Sequence, residues 1–156
     1  MVLDALRRLF SSSSAHPDKT RRIEMRAHDL SAKEGGAEPV EVRGEEYRLP
    51  ALEQVGSSLA VGETMEFMAL LMPEPTNPHD PNAVQVWSLK DSVQLGYMAR
   101  EQAEEYPDVS ARLVETKSAA VCRATLYRLR DGWDVALHLL GPDACLDELD
   151  ANEAAN

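Results

Sequence analysis

Four of the nine prolines fall between Pro73 and Pro81. Each proline fixes φ near −65° and removes a backbone donor. No helix or central strand passes through such a stretch, so it reads as a stiff loop that divides the chain. The run before it, Thr64 to Met72, is apolar and reads as a buried strand. After it, Ala83 to Leu89 alternates Val84 and Val86 with Gln85 and Trp87, the period-2 pattern of a strand.

The remaining elements follow from local pattern. Pro39–Gly44 reads as a short strand ending at a glycine, and Leu52, Val55 and Leu59 fall at helical spacing. Val93 to Met98 is a further strand. Arg100 to Val114 is helical in composition, with Pro107 ending or kinking it and Asp108 placed to cap a second piece. Ala119–Arg130 and Trp133–Leu140 flank Asp131-Gly132, a strong short-range hairpin signal. The expected order is strand, short helix, three strands, helical segment, long hairpin. The fold class is therefore mainly β, a small closed or half-closed barrel that removes its own edges. A helical segment lies between the fourth strand and the C-terminal hairpin.

The chain has 156 residues and a net charge of −11, which suits one domain and argues against a phosphate-coating surface. The charge is uneven: +2 over 1–37, −8 over 38–142 and −5 over 143–156. Residues 1–37 hold Ser11–Ser14 and Glu34-Gly35-Gly36-Ala37 and read as a flexible N-terminal segment. Leu3, Leu6 and Phe10 allow a short amphipathic helix there, and Arg21, Arg22 and Arg26 form a modest basic cluster. Arg7 and Arg8 interrupt the apolar start, unlike a signal peptide. Residues 38–142 form the expected domain, and 143–156 an acidic C-terminal tail, helical or frayed. Cys122 and Cys145 read as reduced thiols of a cytoplasmic protein, and with no CxxC pair there is no zinc ribbon. No apolar run reaches the length of a membrane helix.

The segment Glu74-Pro75-Thr76-Asn77-Pro78-His79-Asp80-Pro81-Asn82-Ala83-Val84-Gln85-Val86 resembles the signature loop of the HIRAN domain. Two further motifs agree in order and spacing. Val42-Arg43-Gly44-Glu45 is similar to the family's opening strand end. Gln94-Leu95-Gly96-Tyr97-Met98 with Arg100-Glu101 is similar to its later strand. The resemblance spans about residues 40–140. It implies an OB-like β-barrel of a family found fused to SNF2-type remodellers and as standalone bacterial proteins. It also implies a non-catalytic module that recognises single-stranded DNA 3′-hydroxyl ends in DNA repair or replication, with no cofactor and no metal.

The resemblance assigns DNA-binding roles to seven residues. Asp80 accepts a hydrogen bond from the terminal hydroxyl, and a carboxylate there repels a continuing phosphate. The bare turn chemistry allows another role, capping of backbone amides. His79 and Tyr47 are placed to stack on bases, an interaction worth about 1–3 kcal/mol. Tyr97 offers a hydroxyl to a phosphate, and Arg43, Arg48 and Arg100 are the nearest phosphate partners. Asn77, Pro78 and Asn82 structure the loop, Asn82 by bonding backbone. Glu45 and Glu46 stand where the family has a basic residue before its site aromatic, and they repel a phosphate backbone.

Two other readings fit the residues. One is an acidic protein–protein interaction module that keeps the barrel without DNA binding. The other is an enzyme with His79 and Asp80 as half of an acid–base or metal set. No HxxxH, DxD or nucleophile elbow accompanies them, and His16, His28 and His138 lie elsewhere. The expectation is no enzyme.

Overall fold

Six antiparallel strands close into a ring in the order β6-β3-β4-β5-β2-β7, with β7 pairing back onto β6. The structure is a computed structural model and describes residues 25–34, 36 and 38–155. The strands are β1 Arg26–Asp29, β2 Val40–Arg43, β3 Thr64–Pro73, β4 Val84–Ser88, β5 Val93–Met98, β6 Ser118–Leu129 and β7 Gly132–His138. The helices are α1 Leu49–Val55, α2 Arg100–Ala103, α3 Pro107–Glu115 and α4 Pro142–Ala154. A 3₁₀ turn covers Glu45–Tyr47. The expected barrel, with helices between the β4–β5 hairpin and the β6–β7 hairpin, is the observed architecture.

Alternation explains the barrel's interior. Val84 and Val86 on β4, Val40 and Val42 on β2, and Val135 and Leu137 on β7 all point inward and are buried. Strand β3 is apolar on both faces. Ala69 and Leu71 join the interior, while Leu70 and its neighbours Met68 and Met72 form a second, outer cluster. That outer cluster also holds Ala119, Val121, Met25, Ala27, Trp87 and Leu89. Each buried aliphatic side chain contributes about 1.5–3 kcal/mol relative to exposure.

Three local expectations are corrected. Arg26–Asp29 lies inside the segment 1–37 read as flexible, yet it is a strand running parallel to β6, with Ala27 opposite Ala119. Four residues carry too little pattern to announce a strand, and its backbone is ordered by pairing with a buried neighbour. Asp108 does not cap α3: Tyr106 occupies the cap position and Pro107 opens the helix, where its missing donor costs nothing. Gly132 pairs with Leu129, so the hairpin turns at Arg130-Asp131, one residue earlier than read. Of the two forms expected for the acidic stretch after 142, the structure shows the helical one, with Cys145 and Leu149 buried. Arg112 on α3 clasps it, reaching Asp150 at 2.6 Å and Glu153 at 2.7 Å. The amphipathic start, the serine run, Arg21 and Arg22 lie outside the described residues.

Candidate nucleic-acid interface

The proline loop joins β3 to β4 and is built as nested turns. Glu74 N–H donates to Ala83 O at 2.8 Å, closing the loop at its foot. Asn77 N–H donates to Glu74 O at 3.0 Å, and Ala83 N–H to Asp80 O at 3.1 Å. Within this frame the Asn77 side-chain oxygen accepts the amides of His79 at 2.9 Å and Asp80 at 3.1 Å. The Asp80 Oδ1 accepts the Asn82 amide at 2.9 Å. Asp80 Oδ2 has no partner among the described residues, so turn capping leaves half of the carboxylate available. Asn82 takes part through its backbone, and its side chain lines a cleft with Pro73, Pro75, Pro81 and Pro107. Pro78 supplies fixed φ between Asn77 and His79, whose ring is on an exposed residue.

Register carries the loop's foot across the barrel. Met72 faces Gln85, Gln85 faces Tyr97, and Tyr97 faces Arg43, giving one outward row over β3, β4, β5 and β2. Glu74 lies at the foot of this row, where Asn77 Nδ2–H donates to its Oε2 at 3.3 Å and Gln85 and Tyr97 are further polar neighbours. Burial alone would raise its carboxyl, and the three neighbours together more than reverse this, leaving it below the ordinary range. Tyr97 was expected to offer its hydroxyl to a phosphate. In the structure Tyr97 also favours the ionised form of Glu74. Gln85 Oε1 in turn accepts Trp87 Nε1–H at 2.9 Å. Glu74, Gln85 and Trp87 therefore adjoin the candidate site, and sequence reasoning did not single them out. Their signal was available: a polar and an aromatic residue alternate outward on the strand leaving the loop.

The other candidates lie on β2, on the turn that follows it and at the start of α2. Gly44, at φ 84°, turns the chain out of β2 into the 3₁₀ segment, a conformation that favours glycine. Gly96 lets β5 approach β2 closely, because a Cβ there would lie 2.4 Å from Arg43 O. Tyr47 is 82% exposed at the end of the 3₁₀ segment. Arg48 follows it and opens α1, donating its amide to Glu45 O at 2.8 Å. No hydrogen bond ties Tyr47 or Arg48 to the proline loop. Arg43 is paired with Glu41 at 2.6 Å and Glu101 at 3.5 Å, and Arg100 with Glu104 at 3.7 Å. Such exposed pairs are worth about 0.2–1 kcal/mol, so a phosphate can displace them. Burial pushes the Glu45 carboxyl up, and Asp134 and Glu46 add to the shift.

Among the described residues no group of three His, Cys, Asp or Glu side chains is placed to hold a metal ion. No described helix is long and apolar enough to cross a membrane. Fold and site define a class: an OB-like barrel carrying a rigid polar loop above an outward row of hydrogen-bonded side chains. The chain belongs to the HIRAN domain family, whose model matches residues 50–132. That membership supports a nucleic-acid-binding module, a binding domain in kind. The chain is also similar to a crystal structure of a protein from Lactobacillus plantarum, 28% identical, covering 65% of this chain and 88% of that one, with a TM-score of 0.41. No curated protein matches the chain.

Proposed function

We propose that this domain binds single-stranded DNA weakly and reads a free 3′-hydroxyl end with Asp80, without catalysis or cofactor, in DNA repair or replication. The observation that carries the reading is the half-used Asp80 carboxylate on a loop made stiff by prolines and by Asn77. A carboxylate accepts from a terminal hydroxyl and repels a phosphate in its place. A preorganised loop loses little entropy on binding. Tyr47, His79 and the Tyr97 ring provide surfaces for the last bases, and Arg43, Arg48 and Arg100 provide phosphate contacts. Buried, unpaired Cys122 and Cys145 suit the reducing cytoplasm.

The test is fluorescence anisotropy with matched oligonucleotides ending in a 3′-hydroxyl or a 3′-phosphate. The hydroxyl form binds more tightly, and Asp80→Ala removes the difference while the melting transition remains cooperative. Equal binding of both oligonucleotides, or none at millimolar concentration, overturns the reading. A second reading, an acidic protein-interaction module on the same barrel, is favoured by the carboxylates already holding Arg43 and Arg100. Absence of oligonucleotide binding at both low and high salt is its expected signature.

A further inference from the structure

Trp87 stands outside the barrel's main core. It lies on the outward face of β4 and packs, partly buried, over Leu70, Ala119 and Val121. The outward face of a small barrel has no need of an indole, and its apolar surface there calls for a use. The Trp87 ring is fixed, because its N–H is satisfied by Gln85 Oε1 at 2.9 Å. Gln85 is a polar neighbour of Glu74, which accepts from Asn77 Nδ2 at 3.3 Å, and Asn77 in turn holds the Asp80 amide. Polar neighbours thus lead from Trp87 to the residue proposed to read the strand end.

Position and charge fit the same use. Trp87 is two residues along β4 from Gln85, about 6–7 Å away on the same face. Gln85 stands directly opposite Tyr97. The side chains around Trp87 on this face are Leu70, Met68, Met72, Gln85, Leu89 and Gln94, and none is charged. The opposite approach, past Tyr47, is flanked by Glu45, Glu46 and Asp134. Beyond the terminal nucleotide, a strand that continues over Trp87 meets neutral side chains there. Oligonucleotide-binding barrels use an outer sheet face, where aromatic rings accept bases regardless of sequence.

We infer that Trp87 is a second nucleotide subsite, a stacking platform for a base 5′ of the terminal nucleotide. This rests on the proposed end-binding reading. The full chain is titrated with a short 3′-hydroxyl oligothymidylate while tryptophan fluorescence and the anisotropy of a labelled strand are followed together. The expected result is quenching that saturates with binding and is lost in Trp87→Ala. Trp87→Ala weakens binding about tenfold, in the range of one lost base stack. Trp87→Phe keeps most of the affinity, which separates lost stacking from lost packing. Trp87→Phe keeps the preference for 3′-hydroxyl over 3′-phosphate, because the end is read at Asp80. If the oligonucleotide binds with end preference but Trp87→Ala keeps full affinity and quenching, this inference is overturned and the end-binding reading stands. Concentration-dependent change in Trp87 fluorescence without DNA, accompanied by a dimer in light scattering, also overturns it and makes the patch a contact between copies. If no strand binds the parent chain, the end-binding reading fails, and the subsite with it.

Discussion

The Asn77 side-chain oxygen accepts the Asp80 amide at 3.1 Å, so the residue that shapes the loop fixes the backbone of the residue proposed to read the ligand. The same oxygen takes the His79 amide. Asn77→Ala removes the one oxygen that accepts both bonds and leaves two loop donors to water. The expected cost is about 1 kcal/mol of stability, since the loop is largely solvated. The larger effect falls on binding: the ratio of 3′-hydroxyl to 3′-phosphate affinity drops several-fold as Asp80 loses its fixed position. Chemical denaturation and paired anisotropy titrations measure the two effects. An unchanged ratio would show that Asp80 holds its place without Asn77.

Gly96 sets the distance between β5 and β2. A methyl group there meets the Arg43 carbonyl oxygen at 2.4 Å and Val42 Cγ1 at 2.9 Å. The carbonyl is backbone and does not rotate away. Gly96→Ala therefore pushes β2 from β5 or shifts both, at about 2–3 kcal/mol. It also separates Arg43 from Tyr97, which face each other across this pair. The check is urea denaturation together with amide hydrogen exchange of Val42 and Met98, which should be the most affected protected amides.

Helix α4 belongs to the barrel's packing. Leu149 is 2% exposed within the main core, and Cys145 is fully buried beside it, its thiol pushed up to about 12 by burial. Leu149→Ala should cost about 2–5 kcal/mol, the range for a core leucine whose site only partly collapses. A surface tail would lose almost nothing. The measurement is the denaturation midpoint, with Cys145 reactivity toward a thiol reagent as a second probe: it should rise in the variant.

The strands were legible where a single face is buried, as on β4, where Val84 and Val86 alternate with Gln85 and Trp87. The loop was legible because prolines act locally. Strand β1 was not, because four residues show no period and its order comes from pairing with β6. The helical form of the acidic tail was legible, but its packing on the barrel was not, because five carboxylates mask the two positions, Cys145 and Leu149, that make contact. Within the site, two asparagines fit the turn pattern equally well, and only the backbone path shows that Asn77 uses its side chain while Asn82 uses its amide. Glu74 reads as one more loop carboxylate until register places Gln85 and Tyr97 beside it. Trp87 was visible as outward-facing, but the neutral ground around it depends on which strands are neighbours.

His28 on β1 makes stability depend on pH in a defined window. Its Nδ1 lies 3.2 Å from the Asn152 amide nitrogen of α4. Burial lowers its pKa from 6.5, Arg26 lowers it further, and Glu153 acts in the opposite direction. The unfolded chain therefore takes up this proton first as pH falls, and stability is lost as pH drops through 6.5 toward the lower folded value. Two carboxyls add a second loss at more acid pH. Glu153 is lowered by its hydrogen bond from Arg112, and Glu74 by its polar neighbours, so both contribute stability that disappears below about 4.5. His28→Gln keeps an amide-compatible side chain and removes the first step only. Denaturation midpoints measured at about pH 7.5 and about pH 5.5 should fall for the parent and fall measurably less for His28→Gln. Equal falls would assign the near-neutral dependence to other groups. Both chains should still lose stability on further acidification, because Glu74 and Glu153 are untouched.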